Sequence, residues 1–270
     1  MAVSPLTLAC LIAATLFVAA LPIVLYRRLR TPLALDWREA VAGIAVFALF
    51  AMVIERALNG YLLSSNPTTA AWLSNPLAFV VCGALAIGIC QEVGRFIAMR
   101  WMFKRAARKS STPASGQRDS AALGYGLGHG GAEAWLTGVL VQLQWIAFAV
   151  LENRGQLGDA LSNIPFEMQM RIHLIVVSLT PVQAGVFVLE RLASLVFQIA
   201  LSVLMWRGVR AGSWTILPLA IAAHALIEVP AALSQAHVLS LAVVDSIYVL
   251  AALPLAVALV KLFRSAPRAA

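Results

Sequence analysis

Charged residues are scarce in this sequence: Asp, Glu, Lys and Arg make up 12% of 270 residues, against 61% hydrophobic. A soluble domain of this length needs far more polar surface, so a globular cytosolic enzyme is excluded and a polytopic membrane protein is implied. Cysteine is scarce as well. Cys10, Cys82 and Cys90 all fall inside apolar runs, which leaves neither a disulfide framework nor a metal-ligand spacing. They read as small core hydrophobes. Several hydrolase signatures are missing: there is no His-Glu-x-x-His zinc helix and no Gly-x-Ser-x-Gly nucleophile turn. Asp245 is the one aspartate within a candidate span, so an aspartyl pair is unavailable. No internal repeat of the kind found in many transporters is visible.

What the sequence does have is long apolar runs. A span needs about 20 mostly apolar residues. By that rule spans are predicted near 3–26, 38–59, 77–99, 121–151, 181–206, 213–235 and 238–260. The first run has no basic start and reads as an outward-facing span rather than a cleaved signal. Residues 172–179 are apolar but too few to cross, which places them at the interface. Thr180-Pro181-Val182-Gln183 has the pattern of a helix start, and Asp36 with Glu39 gives a similar start to the second span.

The net charge of +8 has a topological reading rather than a nucleic-acid one. Fifteen Lys/Arg fall in the segments after spans one, three, five and seven, whereas the alternate loops hold only Arg154 and Arg171. That bias puts the N-terminus outside and the C-terminus in the cytoplasm. The segment 104–120, with Pro113, Gly116 and several Ser, Lys and Arg, reads as a flexible cytoplasmic loop. The expected fold class is an all-α, polytopic membrane bundle of about seven transmembrane helices, forming one integral membrane domain over residues 1–270.

Nine ionisable groups interrupt these spans: Glu55, Glu92, Glu133, Glu190, Glu228, Asp245, Arg56, Arg95 and Arg191. At ~2.5–3.5 kcal/mol each at a helix centre, nine would cost on the order of 20–30 kcal/mol if they faced lipid. They must pair inward. Each arginine has a carboxylate nearby in sequence, but only Glu92 and Arg95, three apart, share a helix face. Pairing within Glu55-Arg56, Glu92-Arg95 and Glu190-Arg191 would leave Glu133, Glu228 and Asp245 in surplus. Two of these follow a histidine by four residues, as His129-x-x-x-Glu133 and His224-x-x-x-Glu228, the spacing at which two side chains can share a metal or a water.

Depth arithmetic brings several groups to one level. At 1.5 Å per residue from the cytoplasmic ends, Glu92 lies ~12 Å deep, His129 ~14 Å, His224 ~18 Å and Glu133 ~20 Å; counted inward from the outer ends of a ~30 Å core, Glu190 falls ~16 Å and Asp245 ~17 Å from the cytoplasmic side. Glu228 at ~24 Å and Glu55 at ~27 Å fall nearer the outer face, so Glu55-Arg56 reads as a structural pair. His173 and His237 sit at the outer boundary. The glycines at 124, 126, 128, 130 and 131 each cost ~0.8–1 kcal/mol in a helix, so they must serve close packing or close approach to His129.

The segments Gln91-Glu92-Val93-Gly94-Arg95, Gly126-Leu127-Gly128-His129-Gly130-Gly131-Ala132-Glu133, Glu190-Arg191 and His224-x-x-x-Glu228 resemble the YhfC-type intramembrane metalloproteases. These are similar in motif style to the CAAX-processing and PrsW-type proteases. The resemblance covers about residues 77–235. It implies Glu92, His129 and His224 as the catalytic core, with Glu133, Glu190 and Glu228 in support. Gln91 stands where the pattern has the first Glu of a doublet, and Gln198 stands where a His is expected.

On this resemblance His129, His224 and Glu92 would hold Zn²⁺ or orient a water, Glu133 would shuttle a proton, and Arg95 and Arg191 would steady carboxylates or an oxyanion. The expected substrate is a membrane-protein or lipidated peptide in the lipid bilayer of a prokaryotic inner membrane, with no nucleic acid involved. The Gln91 and Gln198 departures keep a second class open: an inactive relative acting as a membrane chaperone or scaffold, or a small proton-coupled transporter. The orientation has a direct check. In a cysteine-free background, a cysteine placed in 104–120 should react with an impermeant maleimide only after the membrane is opened. Labelling in intact cells reverses the assignment.

Overall fold

The computed structural model describes residues 2–109 and 119–265. Among the described residues, seven helices are long and apolar enough to cross a membrane. In chain order they are α1 (Pro5–Arg30), α2 (Trp37–Ser65), α4 (Pro76–Lys109), α5 (Ser120–Asn153), α8 (Pro181–Arg210), α9 (Ile216–Gln235) and α10 (Leu241–Arg264). Three shorter helices join them: α3 (Pro67–Leu73), α6 (Leu157–Ala160) and α7 (Phe166–Val177). The described residues contain no strand. The seven predicted spans are therefore all present, and the helices often run on past them. α4 continues through Lys109, so the predicted loop 104–120 begins later than expected, and its central residues 110–118 lie outside the described ones. Arginine and lysine are good helix formers, so a helix need not stop where apolar residues do.

Local signals set several ends. The Asp36 side chain accepts a hydrogen bond from the Arg38 amide at 3.0 Å, and the Asp36 amide donates to Glu39 Oε2 at 3.2 Å, a reciprocal cap at the start of α2. Gln183 accepts from the Thr180 amide in the same manner at α8. Asn66 caps α3, where Pro67 occupies the first turn. α7 has 12 residues, too short to cross, in keeping with the reading of 172–179. α2 is π-helical over Phe47–Glu55, and α5 over Ala134–Val139. Such wide turns re-aim the side chains that follow.

The chain divides into two compact units. The first comprises Met1–Ile23 and Glu133–Leu192. In it the Asn153 side chain bonds both the amide and the carbonyl of Val3, at 2.9 and 2.8 Å. Val18, Ala134 and Val139 form one of its buried clusters, and Leu11, Ala14 and Ala184 another.

The second unit comprises Val24–Ala132 and Ala193–Ala270. Its core joins Phe96 and Met99 of α4, Tyr125 of α5, Met205 and Trp206 of α8, and Ala220 of α9. α9 lies along α4, and the two backbones nearly touch: a Cβ added at Gly88 would sit 2.8 Å from the Ile221 carbonyl. Outward positions stay apolar, with Leu226 and Leu250 each 72% exposed, as a lipid-facing surface requires.

The glycines of α5 serve close packing on two sides. Gly128 lies against the backbone of Ala40, and Gly43 of α2 lies against the Tyr125 carbonyl and the His129 amide. Gly126 and Gly130 face Ile199, Ser202, Leu195 and Gln198 of α8 instead. A Cβ at 128 would overlap the Ala40 carbonyl, whereas one at the exposed Gly60 would meet nothing within 4 Å. Gly128→Ala should therefore destabilise by ~1–3 kcal/mol through overpacking. Gly60→Ala should be neutral or gain ~0.5–1 kcal/mol. Thermal unfolding of the two variants in detergent checks the contrast.

Candidate functional site

The buried polar groups of the second unit form two strings that start from adjacent residues of α4. Gln91, Glu92 and Arg95 are all buried there, together with His129 of α5, Gln198 of α8 and His224 of α9. The i, i+3 spacing brings the guanidinium of Arg95 to 3.5 Å from Glu92, as the sequence indicated. Close approach at Gly88 lets α9 place His224 against the same carboxylate. Its Nδ1 lies 2.7 Å from Glu92 Oε1.

The first string runs from α9 through α4 to α8. Glu228 Oε1 is 3.7 Å from His224 Nε2, so both ring nitrogens of His224 face carboxylate oxygens, which accept and cannot donate. Beyond Glu92, Arg95 donates to the Gln198 carbonyl at 3.3 Å and also to the Gln198 side-chain oxygen. Gln198, where a histidine was expected, thus serves as an acceptor for a buried cation. Glu92 and Arg95 have no exposed surface at all, yet one atom of each has no hydrogen-bond partner among the described residues: Glu92 Oε2 and Arg95 Nε. Buried polar atoms of this kind are uncommon in a folded core and call for a structural or chemical reason.

The second string runs from α2 through α4 to α5. Gln91 Nε2 donates to Glu55 Oε2 at 3.2 Å, and Gln91 Oε1 lies 3.2 Å from His129 Nε2. The His129 ring is wedged edge-on to Phe47 at 5.3 Å and stacked on Tyr125 at 5.8 Å. His129 Nδ1 and the Tyr125 hydroxyl are buried with no hydrogen-bond partner among the described residues. Tyr125 escaped the sequence reading, although its position one turn before His129 places it on the same face.

Several expectations need correction. Glu55 does not form a structural pair with Arg56, which is exposed and has no ion pair among the described residues. Consecutive helical residues point about 100° apart, so a sequence neighbour is a poor ion-pair partner. Glu55 instead reaches the Gln91–His129 string, which straight-helix depth had placed it above. Glu133 is not surplus either: it belongs to the first unit, where it lies 3.9 Å from Arg191, and Thr137 accepts a bond from the same guanidinium at 3.3 Å. Glu190 and Arg191 also belong to that unit. Asp245 on α10 buries its Oδ1 without a hydrogen-bond partner. His173 bonds Glu152 at 3.1 Å.

A zinc site needs three protein donors with lone pairs directed at one point. Glu92 Oε2 and His129 Nδ1 qualify as free donors, whereas His224 Nδ1 is engaged by Glu92 Oε1 at 2.7 Å and its Nε2 lies 3.7 Å from Glu228 Oε1. Among the described residues no group of three or more His, Cys, Asp or Glu is placed to hold an ion. The expected Zn²⁺ set of Glu92, His129 and His224 does not fit this arrangement.

Comparison with known proteins agrees with the motifs. The family model described as YhfC intramembrane metalloprotease matches residues 17–249. The chain is 32% identical over 200 residues to the "Uncharacterized membrane protein YhfC" of Bacillus subtilis (strain 168), covering 72% of this chain and 71% of that one. No solved structure matches.

Breaking the first string has a definite cost. Arg95→Met leaves the Glu92 carboxylate buried with one neutralising partner fewer, and should destabilise by ~3–5 kcal/mol. Adding Glu92→Gln removes the stranded charge, so the double variant should be more stable than Arg95→Met alone. Denaturant unfolding in detergent measures both.

Proposed function

This chain belongs to the YhfC intramembrane metalloprotease family, and from that premise we propose that it is a membrane-embedded peptidase working through Glu92, His129 and His224. The protein is a multi-pass membrane protein, so its bond of attack lies in or near the bilayer. The proposed substrate class is accordingly a membrane-spanning or lipidated polypeptide.

One observation carries the reading: Glu92 is buried, His224 and Arg95 hold one of its oxygens, and the other, Oε2, has no hydrogen-bond partner among the described residues. A carboxylate so placed is a general base whose companions offset its charge. In the proposed step Glu92 Oε2 takes a proton from water while the water oxygen bonds to the scissile carbonyl carbon. The carbonyl π pair moves onto its oxygen. Arg95 Nε and the Tyr125 hydroxyl are buried donors available to that oxygen. When the tetrahedral centre collapses, the C–N bond breaks and the amine nitrogen keeps the electron pair. It recovers the proton from Glu92. His224 holds Glu92 in place, and His129 offers Nδ1 to the second hydrogen of the water.

The family's description implies a metal, but the donor set does not fit a three-ligand ion. FRET-labelled single-span peptides in proteoliposomes provide the assay. Glu92→Gln, His129→Ala and His224→Ala should each lower cleavage by about 10²–10⁴-fold, the usual worth of positioned acid–base groups. Dialysis against a chelator should leave the rate unchanged. Cleavage that survives all three substitutions overturns the peptidase reading. Cleavage lost on chelation and restored by zinc overturns the metal-free step alone.

A further inference from the structure

We propose that Glu55 is a positioning residue that, acting through Gln91, fixes which nitrogen of His129 carries the proton. The argument follows the donors and acceptors along the second string. An ionised carboxylate only accepts hydrogen bonds, whereas a primary amide has a donor end and an acceptor end. Gln91 turns its Nε2 to Glu55 Oε2 at 3.2 Å. Its remaining oxygen therefore faces His129 Nε2, also at 3.2 Å. A carbonyl oxygen cannot donate, so His129 must supply the proton from Nε2. In a neutral imidazole that leaves the lone pair on Nδ1, the nitrogen that is buried without a partner.

The amide acts as a relay of orientation. Alone, Gln91 could present either end to His129, because the two ends differ little in shape. Glu55 removes that freedom from outside the motif. The carboxylate missing from position 91 is thereby supplied by α2, from its π-helical segment Phe47–Glu55. Phe47, at the other end of the same segment, packs edge-on against the ring whose tautomer is set. One wide-turned stretch thus supports His129 both sterically and electrostatically.

The consequence for catalysis rests on the peptidase reading, but the tautomer does not, so the two can fail separately. The chain has four histidines, which makes ¹⁵N-histidine labelling tractable. The His129 ring resonances are identified by their loss in His129→Gln. At neutral pH wild-type protein should show the two well-separated nitrogen shifts of a single Nε2–H tautomer. In Glu55→Leu they should collapse toward a common value, as Gln91 samples both orientations, and peptide cleavage should fall by roughly 10–100-fold, the usual worth of a group that orients a functional imidazole.

Glu55→Gln keeps the packing while removing the obligate acceptor, and should collapse the shifts in the same way should the leucine variant fail to fold. Rescue is the sharper test. A carboxylate at 91 accepts at either oxygen and needs no orientation, so Glu55→Leu combined with Gln91→Glu should restore the single tautomer. Gln91→Glu alone sets two carboxylates against each other and should not match that recovery. An Nδ1–H tautomer in the wild type, or an Nε2–H pattern unchanged in both Glu55 variants, overturns the proposal whatever the cleavage rates. Tautomer shifts as stated in a protein that cleaves no peptide uphold it and remove only the peptidase reading.

Discussion

A carboxylate with no exposed surface, inside a helix that spans a membrane, is the constraint around which the second unit is arranged. Glu92 can be tolerated there only if its charge and its acceptor oxygens are answered by protein groups. Arg95 and His224 answer one oxygen, and Gln198 and Glu228 then answer Arg95 and His224. Each partner recruited from a different helix fixes that helix's rotation and height. α4, α8 and α9 are therefore locked by polar contacts as well as by the cluster of Phe96, Tyr125, Met205 and Trp206. In lipid, where apolar packing gains little over lipid contact, such bonds carry much of the specificity of assembly.

The same constraint accounts for the glycines. A string of short polar contacts requires backbones closer than leucine-lined helices allow. Gly88 lets α9 approach Glu92, and the alternating glycines of α5 bring His129 between α2 and α8. Bulk is removed where polar reach is short. The helix-propensity penalty, about 1 kcal/mol per glycine, is offset by the contacts that the proximity permits.

Much of this was legible in the sequence because it depends on spacing within one helix. The seven spans follow from apolar length, the α2 start from Asp36 and Glu39, and the Glu92–Arg95 pair from a three-residue interval. The gathering of Glu92 with His224 also accorded with matched depth. What escaped depends on where helices end or on choices between partners. Depth counted from the predicted ends set Glu55 well above Gln91, since α4 runs on to Lys109, ten residues past its predicted end, and every α4 residue was counted too shallow. Glu133 could answer either His129 or a distant arginine, and sequence spacing favours the histidine while the fold pairs it with Arg191. Whether donors converge on a metal is likewise invisible to spacing, because His224 turns its nitrogens toward whichever carboxylates the packing supplies.

The close packing of α2 against α4 and α5 also bears on which defects could be suppressed genetically. At Gly94 an added Cβ would meet the ring of Phe50 at 2.6 Å and a methyl of Val46 at 2.9 Å. Those are side chains, so a smaller residue at 50 or 46 could make room, and second-site revertants should be found there. At Gly128 and Gly43 the obstructing atoms are backbone, the carbonyls of Ala40 and Tyr125. No substitution deletes a carbonyl. These two positions have no compensating partner in the genetic code, and a lineage that loses either glycine can recover only by reversion or by moving a whole helix.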